Sequence, residues 1–186
     1  MDPMILASAS PRRAELLRQV GIPFLAHPAS YREPAIENLE MVQENALGKA
    51  REIAAAYPQR IVLGADTVVI CAGRFLGKPR DPREAQQMLR ELSGREHLVI
   101  TALALLWEGR MLTRREETRV WLRELETPEI AAYVASGEPL DKAGAYGIQG
   151  RAAVFVERLE GCYFNVVGLP LALLARLLKE WGISIW

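Results

Sequence analysis

The sequence predicts an α/β protein: a mixed, twisted sheet with flanking helices. Three observations predict it. Short β-branched runs alternate with stretches of helical period along the chain. Most helical stretches open on a cap–proline pair or close on a glycine. Two long strand-like segments, His97–Trp107 and Met111–Arg123, are separated only by Glu108-Gly109-Arg110, which marks a hairpin and hence antiparallel pairing within the sheet. The strand order does not follow from this pattern.

Taken in order, Met4–Ala7 is a short apolar strand. Ser10-Pro11 then opens a helix with the apolar stripe Leu16, Leu17 and Val20, closed by Gly21. Ile22–Ala26 reads as a second strand and residues 28–38, polar and proline-containing, as a loop. Leu39–Tyr57 has helical periodicity through Met41, Val42, Ala46 and Ile53. Ile61-Val62-Leu63 and Val68-Val69-Ile70 are strand-like halves, with Gly-Ala-Asp-Thr breaking the run between them and a turn following at Ala72-Gly73-Arg74. Asp81-Pro82 caps a helix that runs to Leu92 and stops before Gly94, and Thr127-Pro128 caps another that ends near Gly137. Ala152–Glu157 is predicted as a strand, and Pro170–Gly182 as a final leucine-rich amphipathic helix.

The 186 residues fit a single domain, 1–186, large enough to fold without staples. Lys+Arg and Asp+Glu balance at 23 each. A nucleic-acid polymer calls for a basic excess to displace counterions, so such a partner is disfavoured, whereas a small anion needs only a local cationic cluster. Cys71 and Cys162 lack a CxxC partner and read as reduced, buried thiols. Met1-Asp2-Pro3-Met4 lacks the basic start and apolar core of a signal peptide, and no apolar run approaches a membrane span. The expectation is a cytoplasmic protein without a membrane partner.

Chemistry concentrates in a few segments. Ser8-Ala9-Ser10-Pro11-Arg12-Arg13 leads a strand end into a helix start, where free N–H groups, the macrodipole and two guanidinium groups attract an anion; a surface helix with two solvated arginines is the competing reading. Gly64-Ala65-Asp66-Thr67 places an acid inside an apolar strand. That position is costly unless the carboxylate meets a cation or good hydrogen bonds. Lys78, held in Gly77-Lys78-Pro79, has a restricted backbone, although alone it reads as a solvated turn lysine. Lys49 by itself reads as a surface residue. The glycine- and alanine-rich segment Asp141–Gly150 forms a loop whose backbone can approach a ligand, with Tyr146 and Gln149 as its recognition groups. The Gln149 carboxamide offers a donor and an acceptor, which suits the imide edge of uracil or thymine. In Gly161–Pro170 the aromatics and valines read as packing, and Asn165 as an orienting group.

These segments together resemble the Maf family, named for septum formation and comprising nucleoside triphosphate pyrophosphatases. The motifs Ala-Ser-x-Ser-Pro-Arg-Arg, Gly-Ala-Asp-Thr-Val-Val, Gly-Lys-Pro, Asp-Lys-Ala-Gly-Ala-Tyr-Gly-Ile-Gln-Gly and Asn-Val-Val-Gly-Leu-Pro occur in family order from Leu6 to Leu171. The fourth is similar to the dTTP/UTP-cleaving branch rather than the branch acting on 7-methyl-GTP. The resemblance implies two lobes around a central cleft, as in inosine triphosphate pyrophosphatases, a homodimer, and a Mg²⁺ or Mn²⁺ cofactor. It implies that Asp66 is the catalytic carboxylate and supports the metal together with Glu33. It also implies that Ser8, Arg13, Lys49 and Lys78 hold the phosphates of a nucleoside triphosphate, and that Arg12, Thr67 and Gln149 set base preference. Two further readings stay open: a nucleotide-binding regulator of septum formation without turnover, and the same chemistry on a modified pyrimidine or guanine nucleotide.

Overall fold

A computed structural model of the chain describes residues 2–185. In chain order its elements are β1 (Met4–Leu6), α1 (Pro11–Gln19), β2 (Phe24–Ala26), α2 (Leu39–Ala54), β3 (Val62–Cys71), β4 (Arg74–Leu76), α3 (Pro82–Leu92), β5 (Glu96–Trp107), β6 (Arg110–Leu122), α4 (Thr127–Ala135), β7 (Val156–Glu160), α5 (Tyr163–Val167) and α6 (Leu171–Glu180). Short 3-10 turns lie at Glu138–Asp141, Ala143–Ala145 and Arg151–Phe155. The expected mixed α/β class is what the chain adopts. Seven strands form one sheet in the order β2-β1-β3-β5-β6-β7, with β4 paired to β3. β1 runs parallel to β2 and β3, whereas β4 and β7 run antiparallel to β3 and β6.

The chain divides into two compact units. The first comprises the described residues up to Asp66, then Thr101–Glu116 and those from Gly168 onward; the second comprises Thr67–Ile100 and Glu117–Val167. In the first unit, Ser10 caps α1 by accepting from Arg13 N, with Pro11 in the first turn, and Asn38 caps α2 by accepting from Met41 N at 3.1 Å. α2 buries one stripe, Val42, Asn45, Ala46, Lys49, Ala50 and Ile53, the i, i+3, i+4 pattern of a helix lying on a sheet. Fully buried Met4, Ile5, Leu6 and Leu63 supply the sheet side of this core.

The second unit has its own core, built from residues that include Val69, Leu89, Leu92, Val120, Tyr133, Tyr146 and Phe155. Asp81 caps α3 through Glu84 N at 2.8 Å. His97 is buried here and its Nε2 lies 2.7 Å from the hydroxyl of Tyr146. Burial pushes the Tyr146 hydroxyl up, so it stays protonated and donates to a neutral imidazole. The same burial lowers the His97 pKa to about 4 from an ordinary 6.5. The unfolded chain therefore takes up a proton, as pH falls from 6.5 towards 4, that the folded chain refuses. Stability is full above that window and drops by about 3 kcal/mol across it. His97→Gln, followed by urea unfolding at pH 7 and pH 4.5, is expected to flatten that part of the pH profile.

Three expectations change. Gly-Ala-Asp-Thr does not break a strand; β3 runs through it unbroken, because Gly64 marks a close approach rather than a turn. Ala152–Glu157 is not a strand over its length. Ala152 and Phe155, three apart, point inward from a 3-10 turn, and β7 begins only at Val156. Thr127 is the first residue of α4 rather than its cap. The chain enters at Glu126, whose N–H donates to Glu129 Oε2 at 3.0 Å. Tyr163–Val167, to which the sequence reading assigns no element, is a helical turn; the Cys162 carbonyl accepts from Asn165 N and Val166 N.

Candidate active site

The site in the first unit begins with a missing side chain. A Cβ on Gly64 would lie 2.1 Å from the Ala46 carbonyl oxygen and 2.9 Å from the Ala50 methyl, so only glycine lets α2 lie this low over β3. Alternate strand residues share a face, so Asp66, two residues on, points the same way as Gly64 and meets the same helix. Asn45 and Lys49 are one helical turn apart and converge on it. Asn45 Nδ2 donates to Asp66 Oδ2 at 3.2 Å, and Lys49 Nζ donates to Asp66 Oδ1 at 2.8 Å. Glu33 Oε1, from the loop before α2, also takes Lys49 Nζ at 2.9 Å. That loop is seated by the Tyr31 ring, which packs on α2 at Gly48.

The start of α1 also reaches the main chain beside Asp66. Arg13 is buried; its Nη1 donates to Ser8 Oγ and to the Ala65 carbonyl, each at 3.0 Å, and its Nε donates to the Gly168 carbonyl at 2.8 Å. Ser8 Oγ also accepts from Ser10 N at 3.2 Å. Lys49 Nζ reaches the same Ala65 carbonyl at 3.3 Å. One main-chain oxygen thus joins the guanidinium and the ammonium beside the acid. Arg12, the next residue toward the helix start, is half-buried.

Electrostatics follow from burial. Desolvation lifts the Asp66 carboxyl above the ordinary carboxylate range. The charge and hydrogen bond of Lys49 oppose it, Glu33 adds to it, and Arg13 opposes it. Desolvation also lowers the Arg13 pKa, with Asp66 working the other way. A carboxylate raised by burial yet held by specific donors is the arrangement expected of a proton acceptor.

The two carboxylates predicted for a metal, Glu33 and Asp66, do converge, on the Lys49 ammonium. Among the described residues no group of three His, Cys, Asp or Glu side chains could hold an ion by itself. Mg²⁺ is commonly held by one or two carboxylates with water and substrate phosphates completing its shell, so this pair fits such an ion. A further hard oxygen is close by: Asn45 Oδ1 is buried and has no hydrogen-bond partner.

The remaining predicted residues lie in the second unit. Thr67 follows Asp66 in β3 and is half-buried. Lys78 is exposed in the loop after β4, and Gln149 is exposed within 147–150. The two loops of the second unit are tied together by Gly144 N, which donates to the Gly77 carbonyl at 3.1 Å.

The chain matches the profile of the Maf-like proteins over residues 3–181. It belongs to the Maf family. Full-length Maf relatives described as dTTP/UTP pyrophosphatase include those of Gloeobacter violaceus, 50% identical over 98% of this chain and 98% of the relative, Moorella thermoacetica, 49% identical over 100% and 98%, and Methanosarcina mazei, 46% identical over 100% and 98%. Among solved structures, the Ham1 protein of Staphylococcus aureus superposes with a TM-score of 0.56 over 96% of this chain and 99% of that one; at 11% identity the likeness is one of fold.

Several residues of this Maf protein take parts that their sequence context hides. Lys49, which reads alone as a surface lysine, is only 9% exposed; it falls on the same helix stripe as Val42, Ala46 and Ile53. Asn45, one turn earlier on that stripe, is the donor on which residue-type reasoning gave no role. Tyr146, read as a recognition group, is a core residue bonded to His97. Asn165 donates to the Val99 carbonyl and Thr118 Oγ1, each at 2.9 Å, so it ties β5 and β6 rather than orienting a ligand. Cys71 is buried and Cys162 half-buried, and both are free thiols. No helix among the described residues is long and apolar enough to cross a membrane.

Proposed function

We propose that this Maf protein hydrolyses dTTP and UTP to the monophosphate and pyrophosphate, with a divalent cation, Mg²⁺ or Mn²⁺, as cofactor. The observation that carries the reading is the buried Asp66 carboxylate, held by Lys49 and Asn45 beside the Ser8–Arg13 cradle. A receptor for anions gains nothing from a desolvated acid; a hydrolase gains a proton acceptor.

A triphosphate is a polyanion, and cations must offset it before a nucleophile approaches. Arg13, Lys49 and Lys78 serve that end, and the Ser8 hydroxyl and the start of α1 add neutral hydrogen-bond donors. Asp66 orients the attacking water and takes its proton as the water adds to the α-phosphorus; pyrophosphate leaves. Glu33 and Asp66 would hold the divalent ion, which supplies charge neutralisation and a lowered pKa for bound water. Gln149, with Arg12 and Thr67, reads the base. Its carboxamide pairs with the acceptor oxygen and the N–H of a uracil or thymine imide, whereas cytosine presents the reverse pattern.

A panel of the common triphosphates with Mg²⁺ or Mn²⁺, extended to modified pyrimidines and 7-methyl-GTP and assayed for pyrophosphate, tests this directly. dTTP and UTP are expected to lead the panel by about 10-fold or more. Release of orthophosphate instead of pyrophosphate, or no turnover of any member, would sink the proposal. Gln149→Ala is expected to lower kcat/KM for dTTP and UTP about 10-fold or more while leaving CTP and GTP nearly unchanged. An unaltered dTTP-to-GTP ratio in that variant would remove Gln149 from base reading.

A further inference from the structure

Gln149 carries an exposed side chain, yet the main chain around it is gripped from both sides. On the C-terminal side, Arg151 N donates to both carboxylate oxygens of Glu138, at 3.0 and 3.1 Å. On the N-terminal side, Gly147 N donates to the Tyr133 hydroxyl at 3.2 Å, and that hydroxyl donates to Glu138 Oε1 at 3.0 Å. The segment closes on itself through Gly150 N and the Gly147 carbonyl at 3.0 Å. The carboxylate lies flush against it: a Cβ on Gly150 would sit 2.1 Å from Glu138 Oε1.

The clasp is itself anchored. Lys142 Nζ donates to the Glu138 carbonyl at 2.6 Å. The Tyr133 ring meets Phe155 edge to face at 5.2 Å, inside the second-unit core. Burial and the Glu138 charge both raise the Tyr133 pKa, so its hydroxyl keeps its proton and the relay keeps its direction. A core structure alone does not call for a charged side chain spent on one main-chain amide directly and on a second through a tyrosine hydroxyl, the two flanking one exposed glutamine. A carboxamide that must tell a donor–acceptor pattern from its reverse does call for a fixed backbone beneath it.

We propose that Glu138 is a positioning residue for base selection, its carboxylate, with Tyr133, holding the 147–151 main chain so that the Gln149 carboxamide meets the pyrimidine imide in one orientation. The inference rests on the reading of Gln149 as the base-recognising group. It adds a specificity determinant that touches neither phosphate nor base.

The test measures kcat and KM for UTP, dTTP, CTP and GTP in the wild type and in Glu138→Ala, Glu138→Gln, Tyr133→Phe and Gln149→Ala. Amide exchange of residues 147–151 is followed alongside. Glu138→Ala should lower the UTP-to-CTP ratio of kcat/KM by about 10-fold. The loss should fall mainly in KM for UTP and dTTP, with CTP turnover nearly constant and faster exchange confined to 147–151. Glu138→Gln keeps an acceptor oxygen and should recover most of the ratio. Tyr133→Phe, a smaller change that keeps the core ring, should shift the ratio the same way by less, and it carries the test if Glu138→Ala does not fold. A parallel loss on all four substrates with the ratio intact would overturn the proposal and leave Glu138 a purely structural residue. If Gln149→Ala collapses the ratio and the Glu138 variants do not, Glu138 alone loses its role; if Gln149→Ala leaves the ratio intact, the base-reading assignment falls and takes this inference with it.

Discussion

Asp66→Asn is expected to reduce pyrophosphate release from dTTP by about 10³-fold or more, within the range a positioned proton acceptor supplies. The substitution keeps shape and volume and retains a carbonyl oxygen for the Lys49 ammonium, 2.8 Å away in the wild type. It also removes a charge whose burial is costly. Glu33 still holds the Lys49 ammonium, at 2.9 Å, so folding should survive, and circular dichroism and the melting temperature should stay close to wild type while turnover falls. Near-normal hydrolysis in this variant would take Asp66 out of the chemistry.

Lys49→Met is expected to act in the opposite way, on the fold first. Lys49 lies between two acids; the Asp66 side chain is 7% exposed and that of Glu33 44%. Removing the ammonium leaves a buried carboxylate with its charge unmatched, a loss of about 3–5 kcal/mol. In a chain of this size that corresponds to a fall in melting temperature of about 10 °C. Adding Asp66→Asn to Lys49→Met removes the stranded charge and should return most of the loss, because a neutral amide costs far less to bury than a carboxylate. A melting temperature that is unchanged in the single variant, or no better in the double one, would mean that the pair is solvated and that the cluster is not the electrostatic unit inferred from its geometry.

Much of the fold and part of the site can be read from residue types. Ser10-Pro11 and Asp81-Pro82 announce helix starts because caps and prolines act locally, and both helices begin there. The β5–β6 hairpin is equally local: Glu108 and Gly109 both take positive φ, at 48° and 78°, as its two-residue turn requires. What escaped depends on partners distant in sequence. Gly64 looks like a strand breaker unless Ala46 is known to lie on top of it. Ala152–Phe155 is apolar enough for either a strand or a turn, and Glu138, binding Arg151 N just before it, accompanies the turn. Lys49 and Asn45 sat in plain view on the buried stripe of α2, but a lysine and an asparagine are read as polar before their phase on the helix is considered. The carbonyl groups of Ala65 and Gly168 carry no side-chain signature at all.

Those two carbonyls bear on how the protein can drift over generations. Hydrogen bonds from Arg13 and Lys49 end on peptide oxygens, which every residue type supplies. A substitution at position 65 or 168 does not delete the acceptor; at 65 it is judged by whether its bulk fits, and at 168 by whether it can take the positive φ of 116° that Gly168 adopts. The joint between the two cations is thus shielded from the commonest form of genetic damage, and the burden of invariance passes to the groups that donate to it.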